Sequence, residues 1–204
     1  MRRVLVNTFL TLDGVMQAPG GPEEDTSDGF AHGGWSVHYW DDLMGEIMDG
    51  SFAVPFDLLL GRRTYEIFAA YWPSAPEEAG PTKLFNEATK YVASRGRPKL
   101  DWGPVVPIEG DAAEAVAELK EGDGPELQVH GSGNLLQTLM RNGLVDTYRL
   151  WFFPVVVGSG KRLFADGTIP SSLRLVDSAT STTGVQIGTY EPAGELVTGT
   201  FGAN

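Results

Sequence analysis

Residues 56–71 read FDLLLGRRTYEIFAAY, and residues 126–141 read ELQVHGSGNLLQTLMR. In the first, the apolar run Phe56 to Leu60 ends at Gly61, and Thr64 to Tyr71 carries Tyr65, Phe68 and Tyr71 at helical spacing. In the second, Glu126 to His130 has strand composition and Gly131-Ser132-Gly133 is a turn. Asn134 to Arg141 then turns Leu135, Leu136 and Leu139 to one side. A short apolar run, a glycine and then a 3.6-residue period mark a strand feeding a helix. Two such units predict an α/β sheet with parallel pairs.

Outward from these units, Val4 to Leu12 predicts a first strand closed by Asp13-Gly14, and Lys90 to Ser94 and Val105 to Ile108 predict two more. Asp111 with Glu114 makes a capping-box-like start to an Ala-rich helix ending near Gly122, and further helices are expected over 39–48 and 82–88. Thr147 to Val157, Ser172 to Thr180 and Gly184 to Tyr190 have strand composition and read as antiparallel. The expectation is one domain over 1–204, a mixed sheet that begins parallel, finishes antiparallel and is flanked by helices. Gln17 to Gly34, rich in Gly, Pro and acidic residues, is a long loop of the kind that forms a lid or stays disordered.

A chain of 204 residues suits one domain, and 42% hydrophobic residues suffice for a packed core. Lys and Arg number 15 against 27 Asp and Glu, so the net charge of −12 repels a phosphate backbone and disfavours general nucleic-acid binding. Without cysteine there is no disulfide framework, thiolate nucleophile, iron–sulfur cluster or zinc knuckle, and no metal is expected. Arg2 and Arg3 precede an apolar stretch, but Asn7, Thr8 and Asp13 interrupt it before signal-peptide length. Trp151 to Val157 is broken by Pro154 and far shorter than the roughly 20 residues of a membrane span. A soluble, cytoplasmic protein is expected.

Three strand ends carry groups suited to an anion. Gly61-Arg62-Arg63-Thr64 offers close backbone approach, free N–H groups and two guanidinium groups for phosphate oxygens. His130-Gly131-Ser132-Gly133-Asn134 aims a helix N-terminus as pyrophosphate sites do, although Leu136 stands at the third glycine of G-x-G-x-x-G, which disfavours a conventional Rossmann domain. Ser94-Arg95 could hold a ribose 2′-phosphate and so prefer NADP over NAD. Gly158-Ser159-Gly160-Lys161 fails as a phosphate loop, since Val155 replaces the first glycine and Arg162 the hydroxyl residue; it reads as a plain turn whose Lys161 or Arg162 could reach an anion.

Taken together, TLDGVM at 11–16, LLLGRRTYE at 58–66, YVASR at 91–95, QVHGSGNLLQTL at 128–139 and VVVGSGKRLF at 155–164 resemble the dihydrofolate reductase superfamily. They are most similar to the branch containing the C-terminal reductase domain of bifunctional riboflavin-biosynthesis proteins. The resemblance spans nearly the whole chain in order. It implies a dihydrofolate reductase-like mixed sheet that binds NADPH in extended form and passes hydride to a pterin or aminopyrimidine ring, as in reduction of 5-amino-6-(5-phosphoribosylamino)uracil. It further implies that Arg62, Arg63 and Thr64 contact cofactor phosphates, Ser94 and Arg95 the 2′-phosphate, and Gly131, Ser132, Gly133, Asn134 and Leu135 the pyrophosphate.

The resemblance also implies that Asp13, with Thr11 beside it, lies near substrate and nicotinamide, although an Asp-Gly turn explains Asp13 equally well. Asp41 or Asp42 is the nearest match to the pterin-holding carboxylate of folate reductases, and Asp42 is taken as the second catalytic candidate; helix capping is the competing explanation. The zinc deaminase partner of bifunctional chains needs cysteines that are absent here. Competing functions are dihydrofolate reduction, a non-catalytic NADP(H)-binding module and an acidic interaction domain. Trp35, Tyr39 and Trp40 either line a ring pocket or pack the lid, and Trp151, Phe152 and Phe153 could leave apolar surface for a homodimer.

Overall fold

In a computed structural model, which describes residues 1–78 and 80–202, the chain builds one eight-stranded sheet. The elements are β1 (Val4–Thr11), α1 (Asp42–Phe52), β2 (Phe56–Gly61), α2 (Arg62–Tyr71), α3 (Thr82–Glu87), β3 (Lys90–Ala93) and β4 (Val105–Ile108). There follow α4 (Ala112–Glu121), β5 (Glu126–Val129), α5 (Gly133–Arg141), β6 (Thr147–Phe153), β7 (Leu173–Thr180) and β8 (Gln186–Pro192). The strand order is β4-β3-β2-β5-β1-β6-β8-β7.

Strands β2, β5 and β1 lie inside the sheet and are covered on both faces, which explains why they are buried along nearly their whole length. One face buries Val6, Leu10, Leu59 and Val129 against Val116 of α4 and Leu135, Leu136 and Leu139 of α5. The other sets Phe56, Leu58 and Leu60 against Tyr65 of α2 and Phe85 of α3. Farther along it, Met44 of α1 covers Trp151, Phe153 and Ile187. Arg2, 5% exposed, pairs with Asp57 and so fastens the entry of β1 to β2 across β5.

The late strands correct one expectation. β6 runs parallel to β1, from Leu5↔Thr147 to Thr11↔Phe153; only β8 is antiparallel, to β6 and to β7. Helix α5 carries the chain back along the sheet, so β6 re-enters in the direction of β5, and composition alone does not encode that direction. Pro154, lacking an N–H, follows the last residue of β6. Trp151 and Phe153 are fully buried under α1, so they offer no dimer surface.

Helix α1 also starts and stops later than its spacing predicted. Asp41 caps it by accepting from the Met44 N–H at 2.9 Å. At the other end Gln128 Nε2 donates to Ser51 O, and Phe52 packs on Phe56 and Phe85. The 17–34 loop is a tied strap. The Gln17 amide donates to the Asp25 and Ser27 carbonyls, the Trp35 indole N–H donates to Gln17 O, and Phe30 is buried with Val15 and Ala18. No helix among the described residues is long and apolar enough to cross a membrane.

Candidate active site

The sheet splits where the site forms. β1 pairs with β5 only from Val4↔Leu127 to Val6↔Val129, yet stays paired with β6 as far as Thr11. Beyond Val6 the two central strands part, and a cleft of about 1460 Å³ opens there. That exceeds the few hundred to roughly 1,000 Å³ of a single-ligand pocket, so it has room for a cofactor and a second ring.

The β2–α2 and β5–α5 turns meet at its floor. The Gly61 N–H donates to Ser132 Oγ at 2.7 Å, and the Ser132 hydroxyl donates to Thr64 Oγ1 at 2.7 Å. A Cβ on Gly61 would stand 3.0 Å from Ser132 Cβ, and Gly131 has φ +120°. Close approach thus favours glycine at 61, and the left-handed backbone favours it at 131. Helices α1 and α4 are capped by Asp41 and Asp111 and carry acid in the first turn; α2 and α5 have neither a side-chain cap nor first-turn acid. Their free N–H groups and positive dipole ends are left available at the cleft.

All the residues expected to hold the cofactor line this one cleft: Gly61, Arg62, Arg63 and Thr64 from one turn, Ser94 and Arg95 from the end of β3, and Gly131 through Leu135 from the third. Among the described residues Arg95 has no ion-pair partner, whereas Arg62 Nε donates to Glu66 Oε1 at 2.6 Å. Asp25 of the strap engages both Arg63 (3.0 Å) and Lys161 (2.7 Å). Burial pushes the Asp25 carboxyl up, but the Lys161 ammonium and the Ser27 hydroxyl outweigh it and hold it at about 2. Lys161 and Arg162, from the supposedly plain glycine turn, both line the cleft.

The carboxylates fall elsewhere than expected. Asp13 is not in the cleft lining; its carboxylate accepts from the Thr11 hydroxyl at 2.6 Å and the Val157 and Gly158 N–H groups at 3.2 and 2.8 Å. The Thr11 hydroxyl, with those N–H groups, holds its carboxyl below the usual range. Asp13 thereby ties the end of β1 to the chain after β6. Asp41 is the cap of α1 and also accepts from the Thr182 N–H at 2.7 Å, and Asp42 is exposed in the first turn; neither lines the cleft.

The α1 residues that do are Gly45, Met48, Asp49 and Phe52, at helical spacing. Asp49 was missed because the expected helix stopped at Met48, one residue short. The spacing itself, continued one turn, would have found it.

The wall beside Asp49 is aromatic. Phe9 sits 6.1 Å from Trp40, which stacks on Trp151 at 6.2 Å and 12°, while Trp35 and Tyr39 pack edge-on against Phe153. Trp40 thus both packs and lines, and the other two only pack. His130, against Phe52 and Phe85, has Nε2 3.0 Å from Gln128 Oε1; burial pushes its pKa down to about 4, so it is neutral at pH 7.

Residues 2–187 match the model of the RibD C-terminal domain. The chain belongs to that family. A Bacillus subtilis (strain 168) relative, YyaP, is 29% identical over 191 residues, covering 90% of this chain and 92% of its own. The Thermotoga maritima deaminase/5-amino-6-(5-phosphoribosylamino)uracil reductase superposes with a TM-score of 0.61 at 15% identity, over 94% of this chain and 57% of that one. Dihydrofolate reductase from Enterococcus faecalis complexed with NADP(H) gives 0.57 at 14% identity, over 93% and 96%. These likenesses establish the dihydrofolate reductase-like fold of this RibD C-terminal-like domain.

Proposed function

We propose that this RibD C-terminal-like protein is an NADPH-dependent reductase of a pterin- or aminopyrimidine-type ring. The observation that carries the reading is the convergence of two uncapped helix N-termini and the unpaired Arg95 on one cleft at the split of the sheet. A dinucleotide with three phosphate groups needs such a cradle on a molecule of net charge −12. Cα–H positions at Gly61 and Gly131, where a Cβ would crowd or strain the floor, suit close approach of a pyrophosphate.

In this reading Arg62, Arg63 and Thr64, with the N–H groups of Gly133, Asn134 and Leu135, hold the pyrophosphate, and Ser94 and Arg95 hold the 2′-phosphate. The bound cofactor supplies the hydride, delivered to an electron-poor C=N or a sugar carbonyl. Asp49 accepts N–H groups of the substrate ring, and Trp40 and Phe52 sandwich its plane and exclude water. The test is consumption of NADPH by the purified protein with dihydrofolate and with 5-amino-6-(5-phosphoribosylamino)uracil. Turnover of either, with NADPH preferred to NADH, is expected; clear NADPH binding with no turnover of any such ring would make this a binding module.

A further inference from the structure

Thr8 Oγ1 is a buried side-chain oxygen with no hydrogen-bond partner, the one such atom found among the described residues. Thr8 is 4% exposed and lines the cleft. Buried hydroxyls are nearly always paired, and one left unpaired is a cost that a fold keeps only where something else is gained. Its position says what. Thr8 stands two residues beyond Val6↔Val129, the last pair of β1 with β5, and therefore at the split itself.

Alternation along β1 fixes the side on which the hydroxyl lies. Thr8 shares a face with Val6 and Leu10, which pack with Leu135 and Leu136 of α5. Asn7 and Phe9 face the other way: Asn7 Oδ1 accepts from the Trp151 indole at 2.7 Å, and Phe9 packs on Trp40. The orphan hydroxyl is thus on the side of the helix whose N-terminus suits pyrophosphate, and the aromatic wall with Asp49 is on the opposite side.

We propose that Thr8 is a positioning residue for the cofactor, its hydroxyl bonding the carboxamide of the nicotinamide ring and so orienting the ring at the split with its free face toward Asn7, Phe9 and Asp49. The inference rests on the NADPH reading above. A carboxamide offers both donor and acceptor, so a hydroxyl can engage it in either sense. The cleft cations Arg62, Arg63, Arg95, Lys161 and Arg162, which suit phosphate, all come from outside β1, and a neutral hydroxyl suits a neutral group.

The test compares Thr8→Val, which keeps shape and strand preference, with Thr8→Ser, which keeps the hydroxyl. Dissociation constants are measured for NADPH and for adenosine 2′,5′-bisphosphate, which lacks the nicotinamide, together with the melting temperature of the ligand-free proteins. Thr8→Val should weaken NADPH about five- to tenfold, the equivalent of one neutral hydrogen bond, and leave the bisphosphate unchanged. It should also raise the ligand-free melting temperature, because the unpaired group is gone, and Thr8→Ser should bind NADPH as the parent does.

Three results would overturn the proposal: unchanged NADPH affinity in Thr8→Val, parallel loss of both ligands, or a lowered ligand-free melting temperature, which would mean that the hydroxyl is satisfied by an ordered water. Failure of the parent protein to bind either ligand would overturn the NADPH reading and this inference together. Binding by the parent with an indifferent Thr8→Val overturns this inference alone.

Discussion

Gly61 and Ser132, 71 positions apart, share a 2.7 Å hydrogen bond from backbone N–H to hydroxyl, and it joins the two helix N-termini that form the floor of the cleft. Ser132→Ala leaves the Gly61 N–H and the Thr64 hydroxyl without that partner. A stability loss of about 1–3 kcal/mol is expected, with roughly tenfold weaker NADPH binding because the turns lose their mutual register. Urea unfolding and an equilibrium titration measure both; full retention of each would remove the tie from the account.

Asp49 and Asp13 separate by role. Asp49→Asn should raise KM for the ring substrate about tenfold or more and leave NADPH affinity near that of the parent, since a charge-assisted hydrogen bond is worth roughly 1.5–3 kcal/mol. Asp13→Asn should instead lower the melting temperature, because an amide NH2 replaces the Oδ2 that accepts from the Gly158 N–H and the carboxylate charge is lost. Steady-state kinetics beside thermal melts distinguishes them, and the reverse pattern would restore Asp13 to the site.

The strand–turn–helix units at Gly61 and Gly131 were legible because each is local: an apolar run, a glycine and a helical period suffice. The direction of β6 was not, since Thr147–Phe153 has the same composition whether it pairs parallel or antiparallel, and only its partner β1 decides. Asp49 was hidden by an end of α1 that is held by Gln128 and Phe85, residues distant in sequence. The strap around Asp25 looked free because its partners Arg63 and Lys161 lie 38 and 136 positions away. The Asp13-Gly14 pair shows only the local turn, whereas the Val157 and Gly158 N–H groups that bond its carboxylate lie 144 and 145 positions away.

His130 should make stability depend on pH. Its folded pKa of about 4 lies below the ordinary 6.5, so the unfolded chain binds more protons between those values. Stability is fully present above about pH 6.5 and falls, by roughly 3 kcal/mol, as pH drops through 4. His130→Phe should flatten that part of the profile in denaturant unfolding, and an unchanged slope would assign it to other groups.

Asp25 acts in a lower window. Its folded pKa of about 2 lies below the ordinary 3.8, so its contribution is present above about pH 4 and is lost as pH falls toward 2. Asp25→Asn should lower stability at pH 7 by about 1–2 kcal/mol and remove the acid-limb slope between those values. A variant as stable as the parent would mean that the clasp on Arg63 and Lys161 adds nothing.

The most direct test of the cradle is a titration of the parent protein and Arg95→Ala with NADPH and with NADH. The account requires saturable NADPH binding that is at least about tenfold tighter than NADH, a preference that disappears in Arg95→Ala while NADH affinity is unchanged. Equal affinity for the two cofactors in the parent protein, or no binding of either, would contradict it.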